Sequence, residues 1–288
     1  MAFLDRIATC NAHDLSGFRP FEVADRRVGW VRHAFAERLA SAPDVFEVTD
    51  DTVRLAPGLT TPEARTRAVD GVLRDLADAG IIRGWRDEPY PVASRWGETP
   101  LMTVERAAAP WLGLRAWGVH VNGFVREGGN VAMWVARRAR GKQTWPGMLD
   151  NMVAGGQPAH VGLMENVVKE CAEEAAIGAE LASAARPVGT ISYVMEIEEG
   201  LKPAVMFCYD LELPPGFAPR PTDGEVESFT LMPIDEVAAI VRDTAEFKFN
   251  CNLVVIDFLL RHGLLDPDRE PDYHAICRGL RQGEAESV

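Results

Sequence analysis

The spacing of apolar positions changes character part-way along the chain. Between Phe21 and Gly84 they recur at three and four residues, in Val28, Val31, Phe35 and Leu39 and again in Ala68, Val72, Leu73, Leu76 and Ala77, so this region is predicted to be mostly helical. Between those runs, Val45 to Val48 and Thr52 to Leu55 alternate around Asp50-Asp51 like two short strands. Pro89, Pro91, Gly97 and Pro100 then interrupt the pattern, and period-two alternation takes over from Trp117. Trp117 to Arg126 and Val131 to Arg138 flank Glu127-Gly128-Gly129-Asn130, residues that accept the positive φ of a hairpin turn. A glycine turn at Gly155-Gly156 comes next, then an amphipathic helix from Leu163 to Ala176. Strands at Thr190 to Ile197 and Ala204 to Leu213 precede helices at Ile234 to Val241 and Asn252 to Arg261. The polar stretch from Pro267 has room for one more helix.

These elements divide the chain into a small α+β domain over 1–115, a mixed-sheet domain with helices over 116–265, and a C-terminal tail over 266–288. A length of 288 residues accommodates two such domains, and 47% hydrophobic with 25% charged residues is the composition of an ordinary soluble protein. The formal charge of −13 disfavours binding to nucleic acid, whose phosphates are held by clustered lysine and arginine. It also repels free anionic ligands, so a phosphorylated substrate requires a local cation or a metal. Cys10, Cys171, Cys208, Cys251 and Cys277 are scattered, odd in number and never spaced as C-x-x-C, and are expected to be free, mostly buried thiols. No apolar run approaches the ~18 residues of a membrane span, so the expectation is a cytoplasmic protein with no membrane partner. The oligomeric state is open between monomer and homodimer.

The chemistry concentrates on the predicted helix after the glycine turn. Glu170, Glu173 and Glu174 are spaced three and four apart and share one helix face, while Met164, Val167, Val168, Cys171 and Ala175 form its apolar stripe. Three carboxylates on one face repel each other, and a hard divalent cation relieves that repulsion while taking phosphate oxygens as further ligands. Mg²⁺ is the expected ion, with Mn²⁺ as a substitute, and the expected reaction is hydrolysis of a P–O–P linkage in a small-molecule diphosphate. The bland alternative is a solvated acidic face in which Lys169 pairs with neighbours four residues away.

What separates the two is register. Gly155 lies fourteen residues before Lys169, and the stretch from Gly155-Gly156 through Lys169-Glu170-Cys171-Ala172-Glu173-Glu174-Ala175-Ala176-Ile177 resembles the Nudix box. Val161 stands where that box has its first glutamate, Lys169 where it has arginine and Ala176 where it has its last glycine. The resemblance implies that the first glutamate and the arginine brace the loop against the helix, whereas the later glutamates, all present, bind the metal. The flanks Trp117-Gly118-Val119-His120-Val121-Asn122-Gly123-Phe124 and Pro146-Gly147-Met148-Leu149-Asp150-Asn151-Met152-Val153-Ala154 resemble the Nudix proteins related to the hydrolase part of fungal thiamine pyrophosphokinase fusions. Arg83-Gly84-Trp85-Arg86-Asp87-Glu88-Pro89-Tyr90 and Glu105-Arg106-Ala107-Ala108 resemble the extra N-terminal domain of that group. The resemblance implies a Nudix α/β/α sandwich with a mixed sheet, and activity on thiamine diphosphate or its oxidised analogues.

Further candidates surround this core. His120 and Asn122 share one side of an alternating strand and are candidates for a substrate-facing wall. Trp145, beside Pro146-Gly147, is a candidate for stacking on a ligand ring, and Gly155 and Gly156 for close approach to substrate. Glu225 and Glu227, after Thr222-Asp223-Gly224, are candidates for a base or a further metal ligand, as the resemblance implies. Arg65, Arg67, Arg83 and Arg86 could reach a diphosphate, against an ordinary solvated role. Two competing functions stay open: a binding or regulatory module that has lost hydrolysis, and an isoprenoid-diphosphate isomerase, which needs a reactive cysteine.

Overall fold

The computed structural model describes residues 2–282. Helix α1 (Phe3–Cys10) opens the chain, followed by strands β1 (Phe18–Val23) and β2 (Arg26–Arg32), helix α2 (His33–Leu39), strands β3 (Phe46–Val48) and β4 (Val53–Leu55), and helix α3 (Pro62–Asp78). Strands β5 (Pro89–Val92) and β6 (Met102–Glu105) form a hairpin of their own. The four strands β1 to β4 make a separate sheet in the order β2-β1-β4-β3, with its own apolar core containing Phe21, Phe35, Leu39, Phe46 and Leu73.

The early region is therefore less helical than its spacing predicts. Val28 and Val31 lie on a strand, and only Phe35 and Leu39 of that run are helical. The turn that makes the β1–β2 hairpin is Ala24-Asp25, both at positive φ. That conformation is usually signalled by Asn-Gly or Asp-Gly, so the sequence carries no turn cue there. The predicted strands around Asp50-Asp51 and the helix over Ala68 to Ala77 are present as β3, β4 and α3.

The remaining elements are β7 (Ala116–Glu127), β8 (Asn130–Arg138), β9 (Leu149–Asp150), β10 (Val153–Gly156), α4 (Leu163–Ala175), α5 (Ala179–Ala182), β11 (Arg186–Glu196), β12 (Leu201–Glu212), β13 (Val226–Pro233), α6 (Ile234–Asp243), α7 (Cys251–Arg261) and α8 (Tyr273–Gly279). Seven strands join in one mixed sheet of order β11-β12-β7-β8-β13, with β10 on β7 and β9 on β8; β12 runs parallel to β7. The β7–β8 hairpin turns on Gly128 and Gly129, both at positive φ.

Alternation along β7 sorts the two faces of this sheet. Val119, Val121 and Val125 pack with Val167, Cys171 and Ala175 of α4. Phe124 joins the opposite core, with Phe258, Leu253 and Val254 of α7, Val237 of α6 and Phe3 of α1. Helices cover both faces, which makes the sandwich α/β/α. The final strip folds into α8, as the sequence predicts, and 283–288 of the expected tail lie outside the described residues. Among the described residues no helix is long and apolar enough to cross a membrane.

Candidate active site

Helix α4 is held against β10 by its buried stripe, and this packing decides where each glutamate points. Val167, Cys171 and Ala175 are fully buried. Glu174, one position before Ala175, is carried inward, and its carboxylate accepts a hydrogen bond from the Ala154 backbone N–H at 3.0 Å. Glu170 lies one turn earlier against the same strand, where a methyl group on Gly155 would overlap its side chain. A methyl on Gly156 would overlap the Tyr90 hydroxyl. The expected turn at Gly155-Gly156 is instead the end of strand β10, paired with Val119 and Gly118 of β7, and neither glycine has a positive φ, so both are needed for close approach rather than for turn geometry.

Glu173 faces outward. It is half-exposed and pairs with Lys169 at 2.9 Å, while Lys169 also reaches Glu170 at 3.3 Å. The three carboxylates therefore divide into two that look inward and one that is solvated. Among the described residues, the side chains close enough to share one ion are His120, Asp150 and Cys251, with ligand atoms within 4.8 Å of one another, and not the three glutamates.

Glu174 and Asp150 are both buried, yet their environments differ in sign. Asp150 pairs with Arg138 at 2.8 Å and Lys248 at 3.6 Å and accepts from the Cys251 thiol at 2.7 Å. Burial alone raises its pKa, but Lys248 and Arg138 outweigh it and hold the carboxyl down at about 2. Glu174 has no cation within ion-pair distance among the described residues, and its charged neighbours are Glu170, Asp150 and Glu225. Burial and those like charges hold its carboxyl well above the usual range, against the single Ala154 hydrogen bond. Burial likewise raises Glu170.

A narrow cleft opens at this point, lined by Arg138, Lys142, Asp150, Asn151, Glu174 and Glu225. Glu225 is in the cleft wall and pairs with Lys142. Glu227 instead pairs loosely with Arg140 at 3.7 Å, both largely exposed, and is not part of the lining. Sequence reasoning did not single out Asp150, Arg138, Lys142 or Lys248. Asp150 and Lys248 stand far apart in the chain and meet only through the Leu149 bridge to Phe247.

The departures from the box have local substitutes. In place of a glutamate at Val161, the Gln157 amide donates to the Val161 carbonyl at 2.6 Å, and the buried Asn166 amide donates to the Gly156 carbonyl at 2.8 Å and to Gln157 at 3.1 Å. Loop and helix are thus braced by neutral amides. Ala176 sits at φ +56 as the left-handed C-cap of α4, the conformation that explains why glycine suits this position.

His120 and Asn122 share one side of β7, as their alternation predicts. Both are on the α7 side of β7 and buried; His120 is hydrogen-bonded to Asn151 at 2.8 Å and Asn122 to Asp210 at 3.1 Å. Burial and the nearby Lys248 lower the His120 pKa to about 4 and keep the ring neutral. The alternation was legible, and both side chains are engaged by protein partners on the α7 side. Trp145 is more than a third exposed, adopts φ +54, and rests on Phe249 with ring centroids 5.0 Å apart. Its carbonyl accepts from Arg138, which ties this aromatic shelf to the cleft wall. The cysteines are unpaired, with Cys10, Cys171, Cys208 and Cys251 buried and Cys277 partly so.

Glu174, buried, and Glu170, partly buried, turn inward against the glycine end of β10 within an α/β/α sandwich and make an acidic, all-oxygen site. The chain belongs to the Nudix hydrolase family and is a hydrolase. It is 43% identical over 286 residues to Nudix hydrolase 24, chloroplastic, of Arabidopsis thaliana, covering 98% of this chain and 78% of that one. It is also 43% identical over 277 residues to Nudix hydrolase 20, chloroplastic, of the same plant, covering 92% and 74%. Residues 2–116 match the model described as "Domain of unknown function (DUF4743)". Among solved structures, DR0079 from Deinococcus radiodurans superimposes with a TM-score of 0.43 at 20% identity, over 58% of this chain and 97% of that one.

Proposed function

We propose that this hydrolase cleaves the P–O–P linkage of a small diphosphate that carries an aromatic ring, using Mg²⁺ held by Glu170 and Glu174, with Glu173 joining from the outer side of α4. The observation that carries the reading is the Glu174 carboxylate, buried among other acids with no cation within ion-pair distance among the described residues. A buried charge without a partner is costly, and all-oxygen donors suit a hard cation, so the residues present fit Mg²⁺ or Mn²⁺. Such an ion supplies charge neutralisation for the phosphate and acidifies water.

The protein's own groups divide the remaining work. Glu225, in the cleft wall, is the candidate base, ahead of Glu227 on the exposed side. Gly155 and Gly156 leave the end of β10 open to close approach. The Trp145–Phe249 shelf supports stacking of the substrate ring, worth roughly 1 kcal/mol for an aromatic pair. Thiamine diphosphate or an oxidised analogue, cleaved with release of phosphate, is the substrate favoured by the resemblance of the flanking motifs to the fungal fusion group. We further propose the division into 1–115, 116–265 and 266–288, and a cytoplasmic location, which cell fractionation tests against the chloroplast named for the plant relatives.

A Mg²⁺-dependent screen of thiamine diphosphate, oxothiamine diphosphate, ADP-ribose and nucleoside triphosphates tests the assignment, with phosphate release as the readout. Glu170→Gln and Glu174→Gln are expected to lose at least about a hundredfold in turnover, roughly 3 kcal/mol, while the fold is kept. Unchanged Mg²⁺-dependent turnover in both variants contradicts the proposal. Ligand binding without any phosphate release supports the binding-module alternative. The isomerase reading lacks its thiol, because Cys171 is fully buried and burial pushes it up to about 12.

A further inference from the structure

The N-terminal region touches the glycine end of β10 and the loop after it directly. The Ala159 N–H donates to the Pro89 carbonyl of β5 at 3.1 Å, and the Tyr90 hydroxyl fills the space left open at Gly156. Glu105, buried at the end of β6, accepts hydrogen bonds from the backbone N–H groups of Arg86, Glu88 and Ala107 at 3.0, 3.0 and 3.2 Å. One carboxylate thus fixes the segment from Arg86 to Glu88 and the start of the next turn, where Arg106 follows. Arg106 donates from Nη1 to Glu88 at 2.8 Å and lies over the Tyr90 ring at 5.8 Å from its centroid.

This arrangement meets a need that the catalytic cleft does not meet alone. Its wall carries Glu174, Glu225 and Asp150, and its own cations, Arg138 and Lys142, are already paired with Asp150 and Glu225. A diphosphate entering it adds further negative charge. We infer that the N-terminal region is a working part of the catalytic site, with Arg106, assisted by Arg86, supplying guanidinium donors for the diphosphate of the substrate.

Several observations converge on this role. Tyr90 meets Gly156 and carries the Arg106 guanidinium over its ring, so Arg106 stands one side chain away from the β10 glycines, and Arg86 and Arg106 add to the Lys142 pairing that holds the Glu225 carboxyl down against burial. Burial works against the Arg106 charge, and the Glu88 and Glu225 carboxylates offset it and keep the guanidinium charged. Only one of its nitrogens is engaged by Glu88, and its side chain is 41% exposed, so a forked donor edge remains for phosphate oxygens. Tyr90, wedged between Arg106 and Gly156, sets the distance between that edge and the glycine end of β10.

The inference rests on the diphosphate reading above, and its test separates the two. Methylenediphosphonate, whose P–C–P bridge resists hydrolysis, is titrated calorimetrically with Mg²⁺ into the full chain as wild type, Arg106→Ala, Arg106→Lys, Arg86→Ala and Glu174→Gln, each checked for folding by circular dichroism. Arg106→Ala is expected to weaken binding about tenfold or more, Arg106→Lys by less because it keeps the charge without the fork, and Arg86→Ala by a few-fold. Affinity of Arg106→Ala and Arg106→Lys within twofold of wild type, or no binding to the wild type, overturns it. Arg106-dependent binding that Glu174→Gln leaves unchanged upholds the Arg106 role while removing the metal assignment.

Discussion

Asp150 and Glu174 are two carboxylates of similar burial on neighbouring elements of one cleft, and their surroundings drive them in opposite directions. Asp150 is matched by Arg138 and Lys248 and held down at about 2, whereas Glu174 faces Glu170, Asp150 and Glu225 and is held well above its ordinary value. The first is a finished ion-pair network, complete without any ligand. The second favours the protonated acid, and its ionised form needs a balancing cation. This contrast also bears on the His120, Asp150 and Cys251 group: its ligand atoms are close, but the Asp150 charge is already neutralised, so the group is read as structural.

The comparison breaks first at Asp150. Replacing it with asparagine strands Arg138 and Lys248 beside a buried neutral group, and removal of one partner of a buried pair costs about 3 to 5 kcal/mol. Urea denaturation of Asp150→Asn at neutral pH is expected to show a loss of that size. Because the folded pKa of Asp150 is depressed, its contribution is present above the usual carboxylate pKa and disappears as pH falls toward about 2. The gap between wild type and Asp150→Asn should therefore close in acid. A gap of less than 1 kcal/mol at pH 7 would place the network outside the stability of the fold.

The two acidic candidates before and on β13 sharpen the account next. Glu225→Gln is expected to lower turnover by about a hundred- to ten-thousandfold, the usual worth of a general base, and Glu227→Gln to leave it within about twofold. Equal losses in both would remove the distinction drawn from their positions. The smallest effect is expected at the C-cap of α4: Ala176→Gly relieves a left-handed alanine and should stabilise the protein by about 1 kcal/mol with turnover unchanged. A lower melting temperature in that variant contradicts the strain assigned to Ala176.

Much of this site was legible from spacing, and the exceptions have physical causes. The amphipathic helix and the shared face of Glu170, Glu173 and Glu174 follow from helical periodicity alone, whereas Gly155-Gly156, read as a turn, ends strand β10. That face could not be divided further, because residues three and four apart stay within one arc, and only the backbone of β10 decides that Glu174 turns in while Glu173 meets Lys169. The strand alternation of His120 and Asn122 was also legible, but a strand covered by helices on both faces has no solvent side to betray. The Ala24-Asp25 turn hid a hairpin behind residues without a turn signature. Asp150 and Arg106 were not found because their roles depend on partners assembled by the fold: Lys248 for one, and for the other the Pro89 and Tyr90 contacts with the glycine end of β10 and the loop after it.

The central claim is that Glu174 is held toward its protonated form in the metal-free fold, and that ionising it there costs stability unless a divalent cation balances the charge. A group whose folded pKa is raised contributes stability that is present below its unfolded pKa and lost as pH rises through the folded value, so Glu174 makes the metal-free protein less stable above the ordinary carboxylate range. Thermal unfolding is followed from pH 5 to 9 for wild type and Glu174→Gln, each with EDTA and with saturating Mg²⁺ or Mn²⁺. The account predicts that metal raises the wild-type melting temperature most at high pH, and that Glu174→Gln is the more stable protein in EDTA and gains little from metal. Equal metal stabilisation of the two proteins across that range would contradict it.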